Sequence, residues 1–130
     1  MLIHLDIENY ALIEHLDISF FRGFSAITGE TGAGKSILVD ALDLVLGKRA
    51  DTQVLLDPAR KCVVEATFSV GDYNLKVFFE DEGLDYDETT ILRREIHPNG
   101  KSRAFINDTP VNLSQLKSIG DRLVDIHAQH

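Results

Sequence analysis

A chain of 130 residues has the size of one ordinary domain. At 44% hydrophobic and 26% charged residues it can bury a core, which excludes a disordered chain. Its formal net charge of -8 argues against a general nucleic-acid coat, because neutralising phosphates takes Lys and Arg.

In chain order, "MLIHLDIENY" has no basic segment ahead of an apolar one, so it does not read as a signal peptide. No apolar run approaches the roughly 18 residues of a membrane helix, and the expected location is the cytoplasm. "LIHLDIEN" and "ALIEHLDISF" alternate with period two and predict two antiparallel strands with a turn near Asn9 and Tyr10. "FSAIT" predicts a short strand entering a glycine-rich loop. From Lys35 the period becomes helical, with Ile37, Leu38, Ala41, Leu42 and Val45 on one face and Gly47 at the C-terminal stop. After the polar connection "KRADTQVLLDPARK" comes "CVVEATFSV", a well-buried strand. Its Cys62, the one cysteine, rules out an internal disulfide framework and reads as a small buried hydrophobe.

"YNLKVFFEDEGL" predicts a short helix ended by Gly83, and the carboxylate-rich "EDEGLDYDE" a solvated loop. "TTILRREI" and "KSRAFIN" are strands joined through the turn "HPNG". "NLSQLKSIG" predicts a short helix stopping at Gly120, and "RLVDIHAQH" a final strand. No repeat, low-complexity tract or linker interrupts this order, so residues 1–130 are expected to form one mixed α/β domain.

Gly29, Gly34, Lys35 and Ser36 match G-x-x-x-x-G-K-[ST], with Glu30, Thr31, Gly32 and Ala33 filling the loop. Glycines let successive backbone N–H groups turn inward around an anion with no Cβ in the way. Lys35 then reaches the β- and γ-phosphates as a point charge, and Ser36 offers its hydroxyl to Mg²⁺. The helix that starts here directs its positive end at the same phosphates. A strand before and a helix after the motif separate it from a chance glycine turn. The expected ligands are a nucleoside triphosphate and Mg²⁺; ATP is the nucleotide that the resemblance described next implies.

The loop alone does not name the output, since kinases, GTPases and ATPase motors all carry it. The residues "ITGETGAGKSILVDALDLVLGKRAD", "LIHLDIENYALIEHLDISF" and "LVDIHAQH" resemble the N-terminal ATPase segment of the RecN-type bacterial DNA repair proteins, in the SMC-like branch of the ABC ATPases. The most specific parts are "GETGAGKS", "LGKRA" and "DIHAQH"; residues 71–87 add little. The resemblance implies a P-loop NTPase fold: the first lobe of an ABC/SMC-like head, with antiparallel strands around a P-loop strand-helix core. It implies that Gly29 to Ser36 are the Walker A loop and that Gln129 is the Q-loop glutamine, which serves Mg²⁺ and the attacking water. It also makes Arg49, in "LGKRA", a candidate near the γ-phosphate, against the competing reading of a surface arginine past a helix end. Asn9 and Tyr10 fall where such heads approach the nucleotide base.

Such heads also use a signature motif, a Walker B Asp followed by a catalytic Glu, and a switch His, none of which this sequence contains. The expectation is therefore an incomplete lobe that partners a C-terminal lobe and, on ATP binding, a second head. DNA would be met through the full-length protein, in double-strand break repair. Arg93, Arg94, Lys101 and Arg103 offer a basic hairpin to DNA, against the plainer reading of an exposed polar face. The alternatives are a self-contained kinase or NTPase using Asp125 for Mg²⁺ at a strand end, and a nucleotide-dependent interaction module that does not hydrolyse. His127 and His130, three apart, would suit a metal on a helix but not on the strand end expected here.

Overall fold

The computed structural model describes residues 1–20, 32–71 and 73–128, with the backbone alone at 32–36 and 124–128. The alternating segments form strands β1 (Leu2–Tyr10), β2 (Ile13–Ser19), β3 (Cys62–Ser69), β4 (Thr89–Ile96), β5 (Ser102–Ile106) and β6 (Thr109–Val111). They make one sheet in the order β2-β1-β3-β4-β5-β6 with every pair antiparallel. Three helices complete the described residues: α1 (Gly32–Val45), α2 (Lys76–Asp81) and α3 (Leu113–Ala128).

Period two divides the sheet into an apolar and a polar face. Leu5, Ile7, Val64, Ala66, Phe68, Leu92, Ile96 and Ile106 are buried together on the first, under α1 and α3. α1 meets it through Ala41, Leu42 and Val45, on the face that its helical spacing predicts. The opposite face carries a charged lattice, including Asp6, Asp17, Glu65 and Arg93. One side packed and one solvated is the usual state of an antiparallel sheet.

The first turn lies two residues later than expected. Tyr10 pairs with Ile13, leaving Ala11 and Leu12 at the tip. Ala11 takes φ 52°, which sequence preference gives no reason to place there. β6 is an addition. Asn107 and Asp108 both have positive φ (48° and 67°), so Ile106 pairs with Thr109 across a two-residue turn. "FSAIT" lies outside the described residues.

The larger correction is α3. The expected stop at Gly120 and the final strand are one helix, which starts on Asn112. Asn112 Oδ1 accepts from Gln115 N at 2.7 Å, and Gln115 Oε1 accepts from Asn112 N at 3.0 Å. Leu116, Ile119 and Leu123 continue one buried face through Gly120. That glycine serves close packing: a Cβ on it would stand 2.4 Å from Leu46 O. Gly47 meets α3 in the same way, since a Cβ there would stand 2.7 Å from Lys117 Cα. Asp125 therefore lies on a helix, and the strand-end placement that the self-contained NTPase reading required is absent. His127 is helical too, while His130 lies outside the described residues.

Two glycine stops are as expected. Gly47 (φ 112°) and Gly83 (φ 68°) end α1 and α2 with the paired hydrogen bonds of a left-handed cap. Cys62 is fully buried on β3, and burial pushes its thiol up to about 12. It is a core hydrophobe, as its setting predicts.

Gly120→Ala should destabilise the chain by about 1–3 kcal/mol, because the new methyl meets backbone rather than a movable side chain. Urea unfolding measures it; an unchanged midpoint would show that the α1–α3 approach is looser than described.

Candidate nucleotide site

The G-x-x-x-x-G-K-S motif ends inside α1. Gly32, Ala33, Gly34 and Lys35 are its first four residues, the ones whose N–H groups lack an intrahelical acceptor. No acidic residue lies in this first turn, so the positive end of the helix is not offset by its own side chains. These backbone donors suit a phosphate. Gly29, Glu30 and Thr31 lie outside the described residues, and so does Gln129, next after the end of α3.

The far end of α1 is held from the sheet. Lys48 N donates to Asp43 O at 3.0 Å and Gly47 N to Leu44 O at 3.2 Å. Arg94, 1% exposed, points from β4 into the same helix end. Its Nη1 donates to Leu44 O at 2.9 Å and Lys48 O at 2.7 Å, and its Nε donates to Ser102 Oγ at 2.8 Å. A cation on the last carbonyls also complements the negative end of the helix. Burial lowers the pKa of this guanidinium, against a smaller opposite push from Cys62. Alternation along β4 is the signal that finds Arg94, since it shares the inward face with Leu92 and Ile96.

Arg49 follows directly and is exposed. It lines a cavity of about 340 Å³ with Tyr10, Asp40, Lys48 and Asp51. Asp40 lies one helical turn beyond Ser36. The segment carrying Arg49 thus runs back beside α1 rather than away from it. Its other end is fixed on β1: Ala11 N donates to Val54 O at 2.7 Å, and Tyr10 bridges Leu55.

Asn9 fixes the next stretch. It is 2% exposed with φ 55°, and its Nδ2 donates to Asp57 O at 3.1 Å and Arg60 O at 2.9 Å. Its Oδ1 accepts from Asp57 N at 2.7 Å. The expectation that Asn9 approaches a nucleotide base is corrected here, because its side chain is occupied by the 57–61 backbone. Tyr10, though buried, borders the cavity that Arg49 lines.

The basic hairpin is corrected as well. Arg94 is turned into the core. Arg93 is engaged by Glu95 (Nε to Oε2, 2.9 Å) and Glu65 (Nη1 to Oε2, 3.2 Å). Of the four cations, Lys101 and Arg103 remain exposed. Glu95 itself is buried, with His97 at 2.9 Å and Lys61 at 3.7 Å. Burial pushes its carboxyl up, but the hydrogen bonds from His97 and Arg93 and the charge of Lys61 outweigh that and hold it below the usual value.

A sequence-family profile described as "AAA domain" matches residues 4–130. The chain belongs to the AAA domain family. Within it, this AAA domain is 46% identical over 132 aligned residues to the DNA repair protein RecN of Vibrio cholerae, covering 100% of this chain and 24% of that protein. To RecN of Bacillus subtilis it is 42% identical over 133 residues, covering 100% and 23%. The chain thus spans about a quarter of the length of these curated relatives, and the similarity is to the N-terminal portion of RecN.

Among solved structures, the AAA domain superposes with a TM-score of 0.66 at 23% identity on one described as "Structural biochemistry of ATP-driven dimerization and DNA stimulated activation of SMC ATPases". The match covers 95% of this chain and 79% of that one. With the Smc head domain from Pyrococcus yayanosii the TM-score is 0.68 at 19% identity, over 93% of this chain and 25% of that one. The fold is that of an SMC-like ATPase head lobe.

Arg94→Ala should cost at least about 2 kcal/mol, because it strands the Leu44 and Lys48 carbonyls. Guanidinium unfolding tests this, and a loss within error would mean that water replaces the guanidinium freely. The Glu95 carboxyl is depressed in the folded state, so its contribution is complete above the unfolded pKa and is lost as pH falls through the folded one. The wild-type advantage over Glu95→Gln should therefore be present at pH 7 and vanish in acid below the ordinary glutamate range. An advantage independent of pH would show that shape, not charge, is at work.

Proposed function

We propose that this chain is the ATP-binding N-terminal lobe, residues 1–130, of a RecN-like ATPase that acts in DNA double-strand break repair and recombination. The observation that carries the reading is the placement of the G-x-x-x-x-G-K-S motif. It runs into the first turn of α1 in a chain that aligns along its whole length with RecN. The cytoplasm, at the nucleoid, is the compartment this implies. Among the described residues no helix is long and apolar enough to cross a membrane.

In this reading Gly29, Glu30, Thr31, Gly32, Ala33 and Gly34 wrap their backbone donors around the phosphates. Lys35 balances charge on the β- and γ-phosphates. The Ser36 hydroxyl and the Gln129 amide oxygen would hold Mg²⁺, both being hard, neutral oxygen donors. Arg49, held beside α1 between two anchored points, is the candidate for sensing the γ-phosphate. The nucleotide supplies binding energy for engaging two heads and, on hydrolysis, for releasing them. The signature motif and catalytic glutamate would come from the C-terminal lobe and a second head, and DNA would be met by the full-length assembly.

The 130-residue chain should bind Mg-ATP, lose that binding on Lys35→Ala, and release phosphate very slowly or not at all across a wide range of protein concentration. Calorimetry and a phosphate-release assay on the same samples decide it. Robust turnover proportional to concentration and abolished by Lys35→Ala would overturn the split-head reading. Binding without turnover, even after the C-terminal lobe is added, would favour a nucleotide-dependent interaction module.

A further inference from the structure

The solvated face of the β1–β2 pair carries a cluster that the nucleotide site does not use. Asp6 and Asp17 are direct partners across the two strands, an arrangement of like charges that destabilises a sheet unless a cation lies between them. Each has a histidine on its diagonal. His4 Nε2 stands 3.0 Å from Asp17 Oδ1, and His15 Nε2 stands 3.2 Å from Asp6 Oδ1. One donor atom each from His4, Asp6 and Asp17 lies within 4.8 Å of the others.

We propose that His4, Asp6 and Asp17 form a binding site for a divalent transition-metal ion of the zinc type, clasping β1 to β2. Two ligands at about 2.0–2.1 Å from one tetrahedral zinc ion stand about 3.4 Å apart. The observed spread closes to that when the half-exposed side chains turn towards one another. The donors are already oriented as metal ligands are in proteins. His4 Nδ1 is 3.1 Å from Ser19 Oγ, which fixes the ring with Nε2 towards the carboxylates. His15 supports Asp6 from outside in the same way. One imidazole with two carboxylates selects zinc and its neighbours over Mg²⁺, which prefers oxygen donors alone and keeps much of its water. A fourth position remains for water. The ion would neutralise the Asp6–Asp17 repulsion and brace β2, the edge strand that leads into the phosphate loop. The site does not depend on the nucleotide reading, since none of its residues belongs to the Walker A loop.

The test is zinc uptake by the 130-residue chain from a chromophoric chelator near neutral pH. His4→Ala and Asp17→Asn serve as site variants and His97→Ala as the control. The wild type and His97→Ala should take up one zinc ion, and their thermal midpoints should rise with zinc and fall back with EDTA. His4→Ala and Asp17→Asn should weaken uptake at least tenfold, while Ser19→Ala should weaken it by about tenfold through the ring it orients. In the wild type, nitrogen-detected histidine spectra should show His4 Nε2 shifting on zinc addition while His97 stays in place, a readout that needs no variant to fold. Equal uptake by His4→Ala, loss of uptake in His97→Ala alone, an unmoved His4 Nε2, or an equal response to Mg²⁺ would each overturn the proposal.

Discussion

A helix leaves its last carbonyls unpaired, and in this chain that end of α1 is largely covered by the sheet, with Leu44 buried. A side chain from the sheet serves it. Arg94 reaches off β4 and takes the Leu44 and Lys48 carbonyls while Ser102 on β5 holds its Nε. One side chain thereby joins two strands, the helix end and the start of the next loop. α1 presents the Walker A residues at its other end, roughly 20 Å away at about 1.5 Å per residue. The position of α1 against the sheet depends on this anchor, together with the packing of Ala41, Leu42 and Val45.

The same logic governs the return of the chain. The connection from α1 to β3 is long and polar, and such segments ordinarily wander over a surface. Here its start is tied by Arg94, its middle by Tyr10 and Ala11, and its end by the four hydrogen bonds that Asn9 makes around residues 57–61. Arg49 sits between the tied points. An exposed arginine on such a segment keeps its freedom at the guanidinium while its backbone stays in place, which suits a group that must meet a ligand.

Charge is distributed by face rather than along the sequence. The acidic chain neutralises itself across strands: Glu65, Arg93, Glu95, His97 and Lys61 form one continuous group on the solvated side of β3 and β4. A run of basic residues in sequence is therefore no guide to a basic surface. α2 meets α3 through Arg122, 4.7 Å from the Phe78 ring centre, and Phe79 is set edge-on to Tyr86 in the following loop.

Much of this was legible in the sequence because it is local. Period-two alternation determines which residues of a strand share a face, so five of the six described strands could be read directly, and helical spacing showed the buried face of α1. The G-x-x-x-x-G-K-S motif is visible for the same reason, being one contiguous stretch. Asn107-Asp108 was a turn signal that went unread, and β6 with it. What sequence could not decide were matters of contact between distant segments. Gly120 looks like a stop because glycine usually is one; only the Leu46 carbonyl packed against it shows that the helix continues. Arg94 looks like half of a basic pair, and only the end of α1, 46 to 50 residues away in sequence, turns it inward. The sequence by itself determined the first five described strands and α1, and it carries the G-x-x-x-x-G-K-S motif. Tertiary structure decided which polar side chains serve the core, because a buried carbonyl needs a donor wherever in the chain that donor happens to lie.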